Sequence, residues 1–242
     1  MYSGPKPGDE GTAASRQFYV YDAWNRMVEV WEDTNGDGDK DAEETDTQIL
    51  ACEYDGLHRR VEKTDKTGAS DVTYHYYYNT AWQVLEIRKD AATDPLKQYV
   101  WCQRYIDAPI VRWYDANEDG DMADANEEIF YLYDGNFNVT AVASDYDSPT
   151  TFILERYHYD PYGRVTVLNA DWSADADNVS DYDNEILYCG YPLAPETGTS
   201  GQGLYHVRHR MYHPTLGRWV QRDPLSQNSA GGGYHDGMSL YQ

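Results

Sequence analysis

One short unit recurs along the chain, and the recurrence limits the fold more than any other feature. Tyr159-Asp160-Pro161-Tyr162-Gly163-Arg164-Val165 runs aromatic, Asp, two spacers, a turn residue, Arg and an apolar residue. Tyr21-Asp22-Ala23-Trp24-Asn25-Arg26-Met27 follows the same plan, and Tyr54-Asp55-Gly56-Leu57-His58-Arg59-Arg60-Val61 repeats it. Tyr133-Asp134-Gly135-Asn136-Phe137-Asn138-Val139 has Asn where Arg stood, and Tyr78-Asn79-Thr80-Ala81-Trp82-Gln83-Val84 is degenerate. Tyr212-His213-Pro214-Thr215-Leu216-Gly217-Arg218-Trp219 carries one extra residue before its Gly. Asp and Asn bond their own backbone two residues on, Pro presets φ, and Gly or Asn accepts φ above zero, so each unit reads as a β-hairpin. A recurring hairpin cannot bury a face alone, so the copies must pair side by side into a large antiparallel sheet. The 24 Tyr against 4 Phe agree, because Tyr has an apolar face and a polar tip that suit a sheet with one wet surface. The expected class is all-β with little helix.

The units resemble the YD repeats of the RHS family. The stretch Gly203-Leu204-Tyr205-His206-Val207-Arg208-His209-Arg210-Met211, continued by Tyr212–Trp219 and Val220-Gln221-Arg222-Asp223-Pro224, looks like that family's repeat-associated core. The resemblance implies a large curved antiparallel sheet of hairpins that, in the family, spirals into a hollow shell around a toxin or other effector. It divides the chain into a flexible lead-in (1–16), a hairpin sheet with two acidic loops (17–168), an acidic and Gly-rich loop region (169–202) and the core segment (203–242). It implies structural encapsulation or presentation of a C-terminal effector, not an enzyme. The family's exception is single-turnover aspartyl self-cleavage in the full-length parent. For that step the matching residues are Asp223 with Arg222, and Asp236 as second carboxylate, since two carboxylates sharing a proton can activate water against a peptide carbonyl. The bland reading of Arg222-Asp223-Pro224 is a strand-ending turn with an ion pair. The implied partners are the remainder of the parent chain and its effector, in a secreted or cell-surface protein that continues past Gln242.

The formal charge of −23 speaks against nucleic acid and anionic membrane surfaces as partners. No apolar run is long enough to span a membrane, and Met1–Ser15 lacks the apolar core of a signal peptide. Cys52, Cys102 and Cys189 are too scattered for a disulfide framework or zinc site.

Between the strands Met27–Trp31 and Gln48–Tyr54 lies a loop much longer than a usual hairpin connection. Asp33, Asn35, Asp37, Asp39, Asp41 and Glu44 fall at the spacing of an EF-hand calcium loop, with Gly38 at its sharp turn. A second copy, Asp115, Asn117, Asp119 and Asp121 within 115–128, departs at its last ligand positions. Calcium is the expected ion, and a solvated acidic hairpin tip is the plain alternative. A calcium-dependent adhesion or carbohydrate-binding module, contacting cell-surface glycans through exposed Tyr and Trp, is the other functional class. The basic cluster His206, Arg208, His209, Arg210 and His213 is expected to pair with the acidic remainder, strand alternation sending His206, Arg208 and Arg210 to one face.

Overall fold

The computed structural model describes residues 2–11, 15–40, 46–144 and 152–223. Its local structure follows from one wiring scheme. Asp22 Oδ1 accepts the backbone N–H of Trp24 and of Arg26, both at 2.9 Å, while Oδ2 accepts Arg26 Nε at 2.6 Å. Asp55 makes the same three bonds to Leu57 N, Arg59 N and Arg59 Nε. Asp134 makes them to Asn136 N, Asn138 N and Asn138 Nδ2. In the degenerate copy Asn79 takes the N–H groups of Ala81 and Gln83, and donates its Nδ2 to Gln83 Oε1. Burial pushes the Asp55 carboxyl up, but hydrogen bonds from Arg59 and Leu57 outweigh it and hold the group below the usual carboxylate range. Asp134 behaves alike, with Asn138 and Asn136 as donors.

This wiring fixes the register. The residue three after the Asp or Asn takes positive φ, at 63° for Asn25, 66° for His58, 68° for Trp82, 62° for Phe137 and 91° for Gly163. The Tyr pairs with the residue six positions on: Tyr21 with Met27, Tyr54 with Arg60, Tyr78 with Val84, Tyr133 with Val139 and Tyr159 with Val165. Sequence order put Val61 in the apolar slot of the second unit. The fixed register puts Arg60 there instead, and Arg60 is buried.

The hairpins build β1 (Tyr2–Pro5), β2 (Arg16–Tyr21), β3 (Met27–Glu32), β4 (Thr47–Tyr54), β5 (Arg60–Asp65), β6 (Val72–Tyr78) and β7 (Val84–Lys89). They continue as β8 (Lys97–Trp101), β9 (Pro109–Tyr114), β10 (Glu128–Tyr133), β11 (Val139–Ser144), β12 (Ile153–Tyr159) and β13 (Val165–Asn169). These thirteen strands follow chain order in an antiparallel sheet, as the repeat requires. Tyr54, Tyr133 and Tyr159 each donate a hydroxyl, at 2.7 Å, to a carbonyl of an earlier hairpin, those of Met27, Pro109 and Val139. A Phe could not make that bond, which favours Tyr at these three positions.

The chain divides into two compact units. One holds Met1–Asp71, Tyr162–Arg164 and Leu193–Gln242. Here β1 occupies residues expected to be lead-in. Its backbone pairs with β2, and Pro5 O lies 3.0 Å from His213 Nε2. A second, four-stranded sheet joins β14 (Leu193–Ala194), β15 (Leu204–Val207), β16 (Arg210–His213) and β17 (Arg218–Trp219). Gly203 allows β14 and β15 to meet, since a Cβ there would sit 2.4 Å from Ala194 O. Ala194, Leu204, Met211 and Val220 pack with Tyr19, Met27, Val30 and Leu50 in one core. Burying each large apolar side chain stabilises by about 1.5–3 kcal/mol. The core-like segment therefore covers the first hairpins.

The other unit holds Val72–Pro161 and Val165–Pro192. The acidic segment after β13 lies against the strands in place of a free surface loop. Arg112 Nη1 and Nη2 donate to the carbonyls of Asp183 and Tyr182, and Val139 N donates to Leu187 O. Among the described residues no helix is long and apolar enough to cross a membrane.

Candidate functional site

In the first unit, the turns of two Tyr-Asp hairpins, the β15–β16 hairpin and Asp223 surround a cavity of about 510 Å³. Its walls include Trp24, His58, His209, Arg210, Trp219 and Asp223. A strand running through residues 206–210 is not what forms. The chain turns at Arg208 and His209, with Val207 paired to Arg210, so alternation does not set which way these side chains face. Arg208 and His209 become the tip of a two-residue hairpin facing the cavity.

Asp223 is the one carboxylate lining the cavity among the described residues, and its Oδ2 lies 3.5 Å from Arg210 Nη1. The ion pair matches the expected neutralisation of the basic cluster at this point. Arg210 also stacks over the Trp219 ring at 4.0 Å. Arg222 is exposed, and its carbonyl accepts Asn25 Nδ2 at 3.0 Å. Asp236 lies outside the described residues, so the expected second carboxylate has no position here. Arg26 bonds Asp22 and the Asp55 carbonyl, and its guanidinium sits 5.1 Å over the Trp24 ring and 4.9 Å over that of Tyr54. His58 and His209 meet edge to face with ring centres 6.3 Å apart. Burial lowers the His209 pKa, and its neighbours His58, Arg208 and Arg210 add to the fall. Trp24, Arg26, His58 and Trp219 were not singled out from sequence. The available signal was Trp24, a large apolar residue in a turn spacer, where it is 65% exposed.

A second group in this unit is buried charge. Arg60 and Lys63 point inward from β5, and Lys63 Nζ reaches Glu196 Oε2 at 3.4 Å. His206 lies beside them. Burial, then Arg60, His209 and Lys63, hold its pKa well below the ordinary value, so the ring is neutral. In the other unit Lys97 Nζ pairs with Asp183 Oδ2 at 2.5 Å, beside the buried Arg112.

The two acidic loops share a base. Asp33 Oδ1 and Oδ2 accept the N–H groups of Gly36 and Gly38, and Asp115 does the same for Asp119 and Gly120. Asn35 and Asp37 each cap the amide two residues on, as do Asn117 and Asp119. A carboxylate offers roughly four acceptor sites, so Asp33 and Asp115 keep capacity beyond these bonds. Asp121 caps Ala123 N, and Glu127, arriving late for the expected ligand position, instead accepts Ala116 N and Asp124 N. Asp41 and Glu44 lie outside the described residues. Among the described residues no group of three or more His, Cys, Asp or Glu is gathered to hold a metal.

No protein-family model matches the chain. Over 179 residues it is 29% identical to the tRNA3(Ser)-specific nuclease WapA of Bacillus spizizenii, which covers 74% of this chain and 6% of that protein. The tRNA nuclease WapA of Bacillus subtilis strain 168 matches the same share at 28% identity. The chain thus spans about 6% of the length of the curated relatives it matches. Among solved structures, a crystal structure of TcdB2-TccC3 superposes with a TM-score of 0.57 at 19% identity, covering 93% of this chain and 10% of that one. A Photorhabdus luminescens Tc holotoxin pore structure gives 0.58 at 19% identity, covering 93% and 9%. These likenesses establish the fold. The expectation of a protein that is not an enzyme is overturned by the relatives, which are named nucleases. Repeat patterning could not reveal this, because hairpin repeats record how a sheet pairs and carry no trace of the chemistry linked to it.

Proposed function

We propose that this chain is a segment of an RHS-type β-sheet shell in a larger toxin polypeptide, where it encloses or presents an enzymatic effector. The observation that carries the reading is the run of thirteen strands in chain order, in which the β2–β3, β4–β5, β6–β7 and β10–β11 turns share one wiring. Such a sheet grows by adding hairpins and offers a broad wall. Similarity to WapA nucleases and to toxin-complex structures supports the same reading. In the intact parent polypeptide the effector should resist added protease that digests the isolated effector within minutes. Equal digestion of the two would remove enclosure from the reading.

Calcium belongs to this proposal as a stiffener of two hairpins. Asp33, Asn35, Asp37, Asp39, Asp41 and Glu44 are its ligands in the first loop, and Asp115, Asn117, Asp119 and Asp121 in the second. Support comes from the alternating oxygen donors and from Asp33 and Asp115, whose buried carboxylates already order each loop. Titration calorimetry should give a dissociation constant of about 10⁻⁶–10⁻³ M. Calcium at a hundredfold excess over that constant should raise Tm by roughly 5–10 °C. A calorimetric trace without heat, together with an unmoved Tm, would dismiss calcium.

A further inference from the structure

The β15–β16 hairpin carries His206 and His213, and the structure holds both rings in the uncharged form. His213 is fully buried. Its Nδ1 lies 3.3 Å from Leu216 N, and its Nε2 lies 3.0 Å from Pro5 O. A backbone N–H only donates and a carbonyl only accepts, so Nδ1 must be bare and Nε2 must carry the proton. A second proton would set Nδ1–H against the Leu216 N–H and bring charge into the interior. The ring therefore pins β16 to the end of β1 in one protonation state alone. His206 reaches the same state by another route. Among the described residues its buried Nε2 has no hydrogen-bond partner, and Arg60 and Lys63 beside it oppose a further positive charge.

The surrounding charges leave that balance in place. The elements packed around His213 carry Lys6, Asp9 and Glu10 after β1, Arg16 opposite Pro5 on β2, Arg210 on its own strand and Arg218 on β17. Lys6 is paired with Glu32, Arg16 reaches Gly38 O, Arg210 is paired with Asp223, and Arg218 is exposed. Glu10 favours a protonated His213, but burial outweighs it and the pKa falls below the ordinary value. Around His206 are Cys52 on β4, Arg60 and Lys63 on β5, Glu196 paired with Lys63, and Arg208 and His209 at the tip of its own hairpin. Glu53 and Glu62, the next pair on the ladder after Cys52 and Lys63, point to the opposite face. The same hairpin supplies Met211 and Leu204 to the core shared with Tyr19, Met27, Val30 and Leu50. Both histidines thus sit where the C-terminal segment is held down.

We propose that the β15–β16 hairpin is an acid-sensitive fastening, in which protonation of His213 and His206 frees the C-terminal segment from β1 and the first hairpins. An unfolded histidine titrates near about pH 6.5, whereas burial keeps both rings neutral in the fold to lower pH. Each therefore contributes stability that is present above about pH 6.5 and is lost as the pH falls below it. The fastening concerns how one segment is held, and it stands whether or not the sheet encloses an effector.

The test is hydrogen exchange on the full chain at about pH 7.5 and about pH 5.0, corrected for the intrinsic pH dependence of exchange. Protection in β1, β15 and β16 is expected to fall by about tenfold or more at the lower pH, while that of β9 and β10 holds. His213→Asn keeps an acceptor for Leu216 N but cannot titrate, and His206→Gln removes the other proton site. Each should shrink the fall, and the double variant should reduce it to less than about twofold. His158→Gln, at an exposed place on β12, should leave it unchanged. Ring nitrogen chemical shifts of the unaltered protein give a reading that needs no variant: at neutral pH His213 should carry its proton on Nε2 alone. Equal protection at the two pH values, a fall that survives in a folded double variant, or a proton on His213 Nδ1 would each overturn the proposal.

Discussion

Glu196→Ala should lower stability by about 3–5 kcal/mol, the effect of stranding a buried charge. Lys63 and Glu196 side chains are 4% and 2% exposed, and Arg60 is buried beside them. With the carboxylate gone, Lys63 loses the Glu196 oxygen at 3.4 Å, and the neutral His206 does not replace that charge. At about 2–4 °C per kcal/mol for a chain of this size, the expected fall in Tm is on the order of 10 °C. Hydrogen exchange should quicken most in residues 193–223, because Glu196 ties that segment to β5. A double variant, Lys63→Met with Glu196→Leu, should recover part of the loss, since an apolar pair of similar volume carries no desolvation cost. A Glu196→Ala protein within 1 kcal/mol of the parent on a denaturant titration would show that the ion pair contributes little.

Arg112→Ala is the second large effect. The Arg112 side chain is among the largest that are fully buried, and it is held by main-chain oxygens: Nη1 reaches Asp183 O at 2.7 Å and Nη2 reaches Tyr182 O at 2.6 Å. Truncation removes two charge-assisted bonds, takes the Arg112 donor from the Tyr182 carbonyl, leaves Asp183 O with Lys97 Nζ at 3.3 Å, and opens a void. Together these should cost about 4 kcal/mol. Arg112→Lys should fall between, because a single ammonium cannot reproduce the guanidinium fork. The readout is local. Amides in residues 180–187 should lose exchange protection before those of β9 and β10. Retained protection there in the alanine variant would show that other bonds, such as Glu155 Oε1 with Asp181 N at 3.0 Å, suffice to hold the segment.

The hairpins were legible in the sequence because their wiring is local. Each turn Asp bonds groups two and four residues away, so Asp22, Asp55 and Asp134 announce their turns wherever the chain later goes. The all-β class and the antiparallel order follow from that repetition. The position that takes positive φ was less legible, since His58, Trp82 and Phe137 occupy a place where Gly or Asn is the expectation. Register decides it. Once the Asp carboxylate has closed on the residue four ahead, the residue between must adopt the left-handed conformation whatever its side chain.

The candidate site was half legible. Asp223 and the basic cluster were singled out, but Trp24, His58 and Trp219 were not, because nothing local distinguishes a turn residue that lines a cavity from one that faces water. The same holds for the buried cations. Arg60 sits inside because the six-residue register leaves it no other place, while Lys63 finds its carboxylate 133 positions away. By itself, then, the sequence determined the repeating turns and the strand order, both set by bonds within a hairpin or between neighbours. Only the tertiary structure decided which charges are buried, what the C-terminal segment covers and where three turn tips meet. Those outcomes depend on groups far apart in the chain, and their energies exist only once the sheet is built.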